Sequence, residues 1–149
     1  MNCKNLLLIV LVLVVSGCAG LKGQQPDFRA VYPYSFDQVS KATFDALSEM
    51  PIEVSSIEKG TVETRWVEGW GDRSFGAFGG YLSGGQWKRR AKVISTVKRK
   101  GDEQAQVQLI IRMQEKAPGG AQANYWKRIY PDKNMPKNIF AKIQQELEE

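Results

Sequence analysis

Few side chains in this chain can do chemistry. It has no histidine, and its two cysteines are Cys3 and Cys18. The commonest general base and the commonest metal ligand are therefore absent. The carboxylates Asp37, Asp45 and Glu49 fall on a stretch of helical spacing, and Glu63 and Glu68 flank Trp66. No spacing pairs them for acid–base work. Ser35 and Ser83 have no base to activate them. The densest stretch is Glu68 to Arg90, EGWGDRSFGAFGGYLSGGQWKRR, which holds seven of the chain's 14 glycines and ends in a basic triplet. A phosphate cradle needs two glycines at fixed spacing followed by lysine and a hydroxyl, opening a helix. Here Gly79 and Gly84 are followed by Gly85-Gln86 and a strand pattern. The dinucleotide fingerprint fails because Ser74 stands where its third glycine should be. The expectation is a protein that is not an enzyme, with no catalytic residues, no metal and no cofactor.

What remains in this stretch is aromatic. Trp70, Phe75, Phe78, Tyr81 and Trp87 are the partner-binding candidates. Long loops are uncommon unless functional or disordered, and grouped exposed apolar side chains mark interaction surfaces. Tryptophan and tyrosine suit a bilayer interface and a protein hot spot equally. The competing readings are a plain flexible loop between two strands and an extension of those strands into a long hairpin.

The formal charge is +5. Lys88, Arg89, Arg90, Lys92, Lys98, Arg99 and Lys100 run without an acid between them. Lys88, Arg90, Lys92 and Lys98 are the candidates for an anionic surface, either lipid headgroups or an acidic protein patch. The competing reading is a solvated face of an edge or outer strand, where lysines also block edge pairing. Trp66 and Trp126 read as packing residues rather than substrate platforms.

Residues 1–17 place these features. Lys4 precedes an unbroken apolar run, Leu6 to Val15, then small residues and Cys18. Such an order is a secretory signal. The run is half the roughly 20 residues of a spanning helix. Val15-Ser16-Gly17-Cys18 resembles a bacterial lipobox, an aliphatic residue and two small ones before cysteine. That resemblance implies cleavage before Cys18, a diacylglycerol on its thiol and an acylated amine, including palmitate. Two or more chains anchor stably. Ala19 stands where aspartate retains lipoproteins at the inner membrane, so the same resemblance implies the outer membrane, facing the periplasm. The expected partners are the membrane, through Cys18, and an envelope protein. Nucleic acid, the usual partner of a basic patch, is not expected there.

The organisation follows as a signal peptide over 1–17, a lipidated tether over 18–27 and one domain over 28–149. Within the domain, Arg29 to Tyr34 reads as an edge strand. Ser35 to Gln38 fits a capping box, and Phe36, Val39, Thr43, Leu47 and Met50 form a helical stripe stopped by Pro51. Ile52 and Val54, a Lys59-Gly60 turn, then Val62, Thr64 and Trp66 alternating with Glu63 and Arg65 read as two strands. Trp87, Ala91, Val93, Ser95 and Val97 form one face of the next strand, and Lys88, Arg90, Lys92, Thr96 and Lys98 the other. Ala105, Val107, Leu109, Ile111 and Met113 alternate with polar residues in its successor. Asn124 to Tyr130 reads as a last strand, and a final helix starts near Pro136 and buries Ile139, Phe140, Ile143 and Leu147. Clean period-2 alternation means an antiparallel sheet with one wet face. The fold class is α+β, an antiparallel sheet of about five strands packed by two helices.

This order resembles the BamC-like helix-grip domains of lipoproteins in the outer-membrane β-barrel assembly machine. The lipobox, the helix SFDQVSKATFDALSEM, the step PIEVSSIEKGTVETRWVEG and the closing NIFAKIQQELEE carry the resemblance. It implies a helix-grip fold and a binding or assembly accessory at the envelope. The alternative function is an envelope lipid- or glycan-binding lipoprotein using the basic strand 88–100.

Overall fold

A long antiparallel hairpin organises the molecule. The computed structural model describes residues 27–74, 86–131 and 134–149. The hairpin is β5 (Gln86–Gly101) and β6 (Gln104–Lys116), in one register from Lys88 opposite Lys116 to Arg99 opposite Ala105, with a one-residue shift before Gly101 opposite Gln104. Around it lie β1 (Asp27–Tyr32), α1 (Phe36–Leu47), β2 (Ile52–Ser56), β3 (Thr61–Thr64), β4 (Val67–Ser74), a 3-10 turn (Ala121–Asn124), β7 (Lys127–Ile129) and α2 (Asn134–Glu148). The sheet order is β1-β6-β5-β3-β2, with β4 also on β5 and β7 also on β6. The α+β class expected from sequence is the one observed, an antiparallel sheet packed by two helices. The described sheet has seven strands rather than about five.

The extra strand is β4, formed by the first part of the glycine-rich stretch. Its sequence VEGWGDRS has no clean alternation, but pairing to the overhanging edge of β5 uses backbone groups that any residue carries. As far as Ser74, the loop reading is therefore replaced by its competitor, an extension of the flanking strands. The last strand is also shorter than the stretch Asn124–Tyr130, because Ala121–Asn124 is a 3-10 turn and pairing starts only at Lys127.

One half of the hairpin carries the core. Val93, Val97, Ala105, Val107, Leu109 and Ile111 face inward, as their alternation requires. Val39, Ala46 and Leu47 of α1 and Ile143 of α2 close over them. Each valine, leucine or isoleucine among them contributes about 1.5–3 kcal/mol of burial. The capping box forms as expected, with Gln38 N donating to Ser35 Oγ and Ser35 N donating to Gln38 Oε1. The helix ends at Leu47, and Met50 packs against the core from beyond it. Tyr32 closes the seam between β1 and α2, its hydroxyl donating to the Phe140 carbonyl at 3.0 Å.

Candidate interaction site

The other half of the hairpin, from Lys92 back to Gln86 and from Arg112 on to Lys116, is flanked by β4 and β7. How β4 reaches it sets the chemistry of its outward face. Pairing of β3 with β5 ends at Glu63 opposite Ile94, and pairing of β4 begins at Val67 opposite Ala91. Four steps on one strand oppose three on the other, so one residue is extra, a β-bulge. The Thr64 hydroxyl fills the gap by accepting the Val93 N–H at 3.0 Å. Arg65 N donates to the Pro51 carbonyl at 2.7 Å. The extra residue exchanges the faces of every later position. Trp66, expected on the face of Val62 and Thr64, instead meets Arg90 on the opposite face.

Arg90 sits between two indoles, its guanidinium carbon 4.5 Å from the Trp66 ring centroid and 4.2 Å from that of Trp126. Its Nε donates to Gln114 Oε1 at 2.8 Å. This cation–π sandwich joins the bulge before β4 to the segment before β7 across the hairpin. Lys92 is likewise engaged. Its ammonium lies 2.7 Å from Glu53 and 2.6 Å from Glu63, and its side chain is only 11% exposed. Hydrogen bonds donated to Glu53 and then to Glu63 raise the Lys92 pKa, and the bond from Lys92 lowers that of Glu53.

The anionic-surface candidates thus divide. Arg90 and Lys92 are committed to partners within the chain. Lys88 is exposed, opposite Trp70 of β4 and Lys116 of β6. Lys98 is exposed at the other end, opposite Gln106, about 33 Å from Lys88 along the strand. β5 is paired on both sides, so its lysines do not guard an edge. The register brings together cations that sequence reasoning passed over. Arg112 stands opposite Lys92, Lys116 opposite Lys88, and Arg128 opposite Gln114. Alternation along β6 marks Arg112 and Lys116 as outward, but only pairing with β7 sets Arg128 beside them.

At the same end lies a cavity of about 380 Å³. Trp87, Tyr125 and Trp126 give it aromatic walls, and Glu115, Gln122 and Lys127 supply polar groups. Glu115 is buried, opposite Arg89 and Lys127 in the ladder. Tyr125 is 65% exposed. Sequence reasoning singled out Trp87 but missed Tyr125 as a companion, since their meeting depends on the turn after β6. Of the other aromatic candidates, Trp70 lies in β4, while Phe75, Phe78 and Tyr81 fall outside the described residues, as does Cys18.

The carboxylates are dispersed. Asp27 accepts hydrogen bonds from Arg29 and Gln108, the first of which lowers its pKa most. Asp45 lies 3.5 Å from Lys41, and Glu49 pairs with Lys142. Among the described residues no three acids or cysteines gather to hold a metal. Nor is any described helix long and apolar enough to cross a membrane.

No family model matches the chain, and no curated protein matches it. Among solved structures the chain is similar to a DUF4468 family protein from Bacteroides ovatus ATCC 8483, at 15% identity. The match covers 81% of this chain and 85% of that one, with a TM-score of 0.49.

Proposed function

We propose that this chain is a lipid-anchored protein of the bacterial outer membrane, held at Cys18 and facing the periplasm, that works by binding as an accessory to assembly. Its contact element is the end of the hairpin where β4, β5, β6 and β7 meet. The observation that supports this most directly is the aromatic cavity there, with Trp87, Tyr125 and Trp126 around a space of about 380 Å³. Aromatic anchors in a pocket with a few polar groups are the usual centre of a protein hot spot. The finer reading, by resemblance to BamC-like helix-grip domains, is a role in β-barrel assembly. The binding mode has no catalytic step and no cofactor.

In-cell photo-crosslinking from a probe replacing Tyr125 tests this. One defined protein adduct supports a docking site, and a β-barrel assembly subunit among the adducts supports the finer role. Absence of any protein adduct from a normally expressed chain overturns docking at this end.

The cavity also favours a second reading, a glycan site. Flat aromatic walls with an amide, a carboxylate and an ammonium match a sugar ring's apolar face and its hydroxyls. A tryptophan emission shift that saturates with soluble envelope glycan fragments, and disappears in Trp87→Ala, would favour this over a protein partner.

A further inference from the structure

We propose that the outward face at the β6–β7 end of the sheet is a docking surface for anionic lipid headgroups, held there by Arg112, Lys116 and Arg128. The inference rests on the Cys18 anchor of the reading above. It places the basic contact on other residues than Arg90 and Lys92, whose charges are met within the chain.

The charge on this face is one-sided. Arg112 and Arg128 are exposed, Lys116 is half-exposed with its ammonium 6.0 Å from the Trp126 ring centroid, and the outward positions of β6 and β7 carry no carboxylate. Glu53, Glu63 and Glu68 lie on the β2–β4 side of this face, two of them on Lys92. Asp27, across from Ile110, is held by Arg29 and Gln108, away from Arg112. Lys92 opposite Arg112 and Lys88 opposite Lys116 are like charges paired directly across strands. Like charges directly across strands disfavour the pairing; Glu53 and Glu63 answer Lys92, and an anion outside the chain would answer Arg112. The other basic run, Lys98 to Lys100, is followed at its own turn by Asp102 and Glu103, so it offers no comparable field.

The anchor presents this end. β1 runs antiparallel to β6 and starts at Asp27 opposite Ile110, so the strand end that receives the tether is the one turned toward Arg112. From Cys18 to Asp27 the chain reaches at most about 30 Å. From Ile110 to Lys116 is about 20 Å. A domain held so close meets the headgroups at high effective concentration. Each cation at an anionic surface is then worth about fivefold in the docked population, and three together roughly a hundredfold.

The test uses the full acylated chain in proteoliposomes, with acylation of Cys18 confirmed by mass spectrometry. Acylation leaves an introduced cysteine as the only thiol of the mature chain. A fluorophore is placed at Tyr130→Cys, beside β7, or at Asp102→Cys, at the far turn. In phosphatidylglycerol vesicles carrying a headgroup quencher, at low salt, position 130 is expected to be strongly quenched and position 102 spared. High salt, phosphatidylcholine vesicles, or the triple change Arg112→Glu, Lys116→Glu, Arg128→Glu should each abolish the difference. The salt and lipid arms do not depend on how the triple variant folds. Equal quenching at both positions, or quenching indifferent to salt and lipid charge, overturns the docking face while leaving the anchor in place. A chain without acyl mass at Cys18 overturns both.

Discussion

Gly60 shows how little room one residue can leave. It lies at φ +63° in the turn between β2 and β3, and an added Cβ would sit 2.9 Å from Phe36 Cε2, from Val97 Cβ and from the Val97 carbonyl oxygen. Its own carbonyl accepts the Val97 N–H at 2.7 Å, so the backbone cannot move away without breaking that bond. Gly60→Ala is expected to cost about 3 kcal/mol, read as a lower urea midpoint with an unchanged slope. Tyr32 makes a different kind of test. Burial raises its pKa from 10 to about 12. A raised pKa means that the fold favours the protonated phenol. Stability from this group is whole below pH 10 and is lost as pH climbs toward 12. Tyr32→Phe removes the hydrogen bond to Phe140, costs about 1 kcal/mol at neutral pH, and should flatten the fall in stability between pH 10 and 12. Equal alkaline slopes in the two proteins would refute this assignment.

Between strands, two cations act as fasteners. Arg90 stacked on Trp66 and Trp126 ties β4 and β7 to the hairpin, so Arg90→Ala should lose about 2 kcal/mol. Amides of β4 and β7 should exchange faster in that variant while those of β1 and α1 do not change. Arg90→Lys keeps the charge but loses the flat guanidinium face, and should behave more like alanine than like arginine. Lys92 joins β2 and β3 to β5 through Glu53 and Glu63. Because the Glu53 pKa is lowered below its ordinary 4.5, this contribution is present above that pH and disappears as pH falls below it. The Lys92 pKa is raised above 10.5, so the same pair weakens above that pH. Glu53→Gln should narrow the acid-side loss, measured as thermal midpoints from pH 6 down to pH 3.

Across the whole molecule, the hairpin is a beam with one covered half and one open half. Helices close over Val93 to Val97 and Ala105 to Ile111, whereas among the described residues the half bearing Lys88 to Lys92 and Arg112 to Lys116 is flanked by β4, β7 and the 3-10 turn rather than by a helix. Native-state hydrogen exchange should find the covered half opening only with global unfolding and the open half opening at lower free energy. Equal protection along both strands would contradict that division. The open half is also where the cavity, Arg112, Lys116 and Arg128 lie. Much of this was legible in the residues. The capping box, the helical stripes and the alternation of β5 and β6 are local patterns with local causes. The strand β4 was legible only as a competing reading, an extension of the flanking strands, because glycine-rich backbone pairs without a side-chain signature. The outward turn of Trp66 was hidden by one extra residue, Arg90 and Lys92 looked free because their partners lie far away in sequence, and Arg128 gained its place only through pairing with β6. Periodicity determined which face of each strand is buried, since that follows from the 2-residue pleat. Tertiary structure decided which charges remain for a partner, since register between distant strands sets every opposite neighbour.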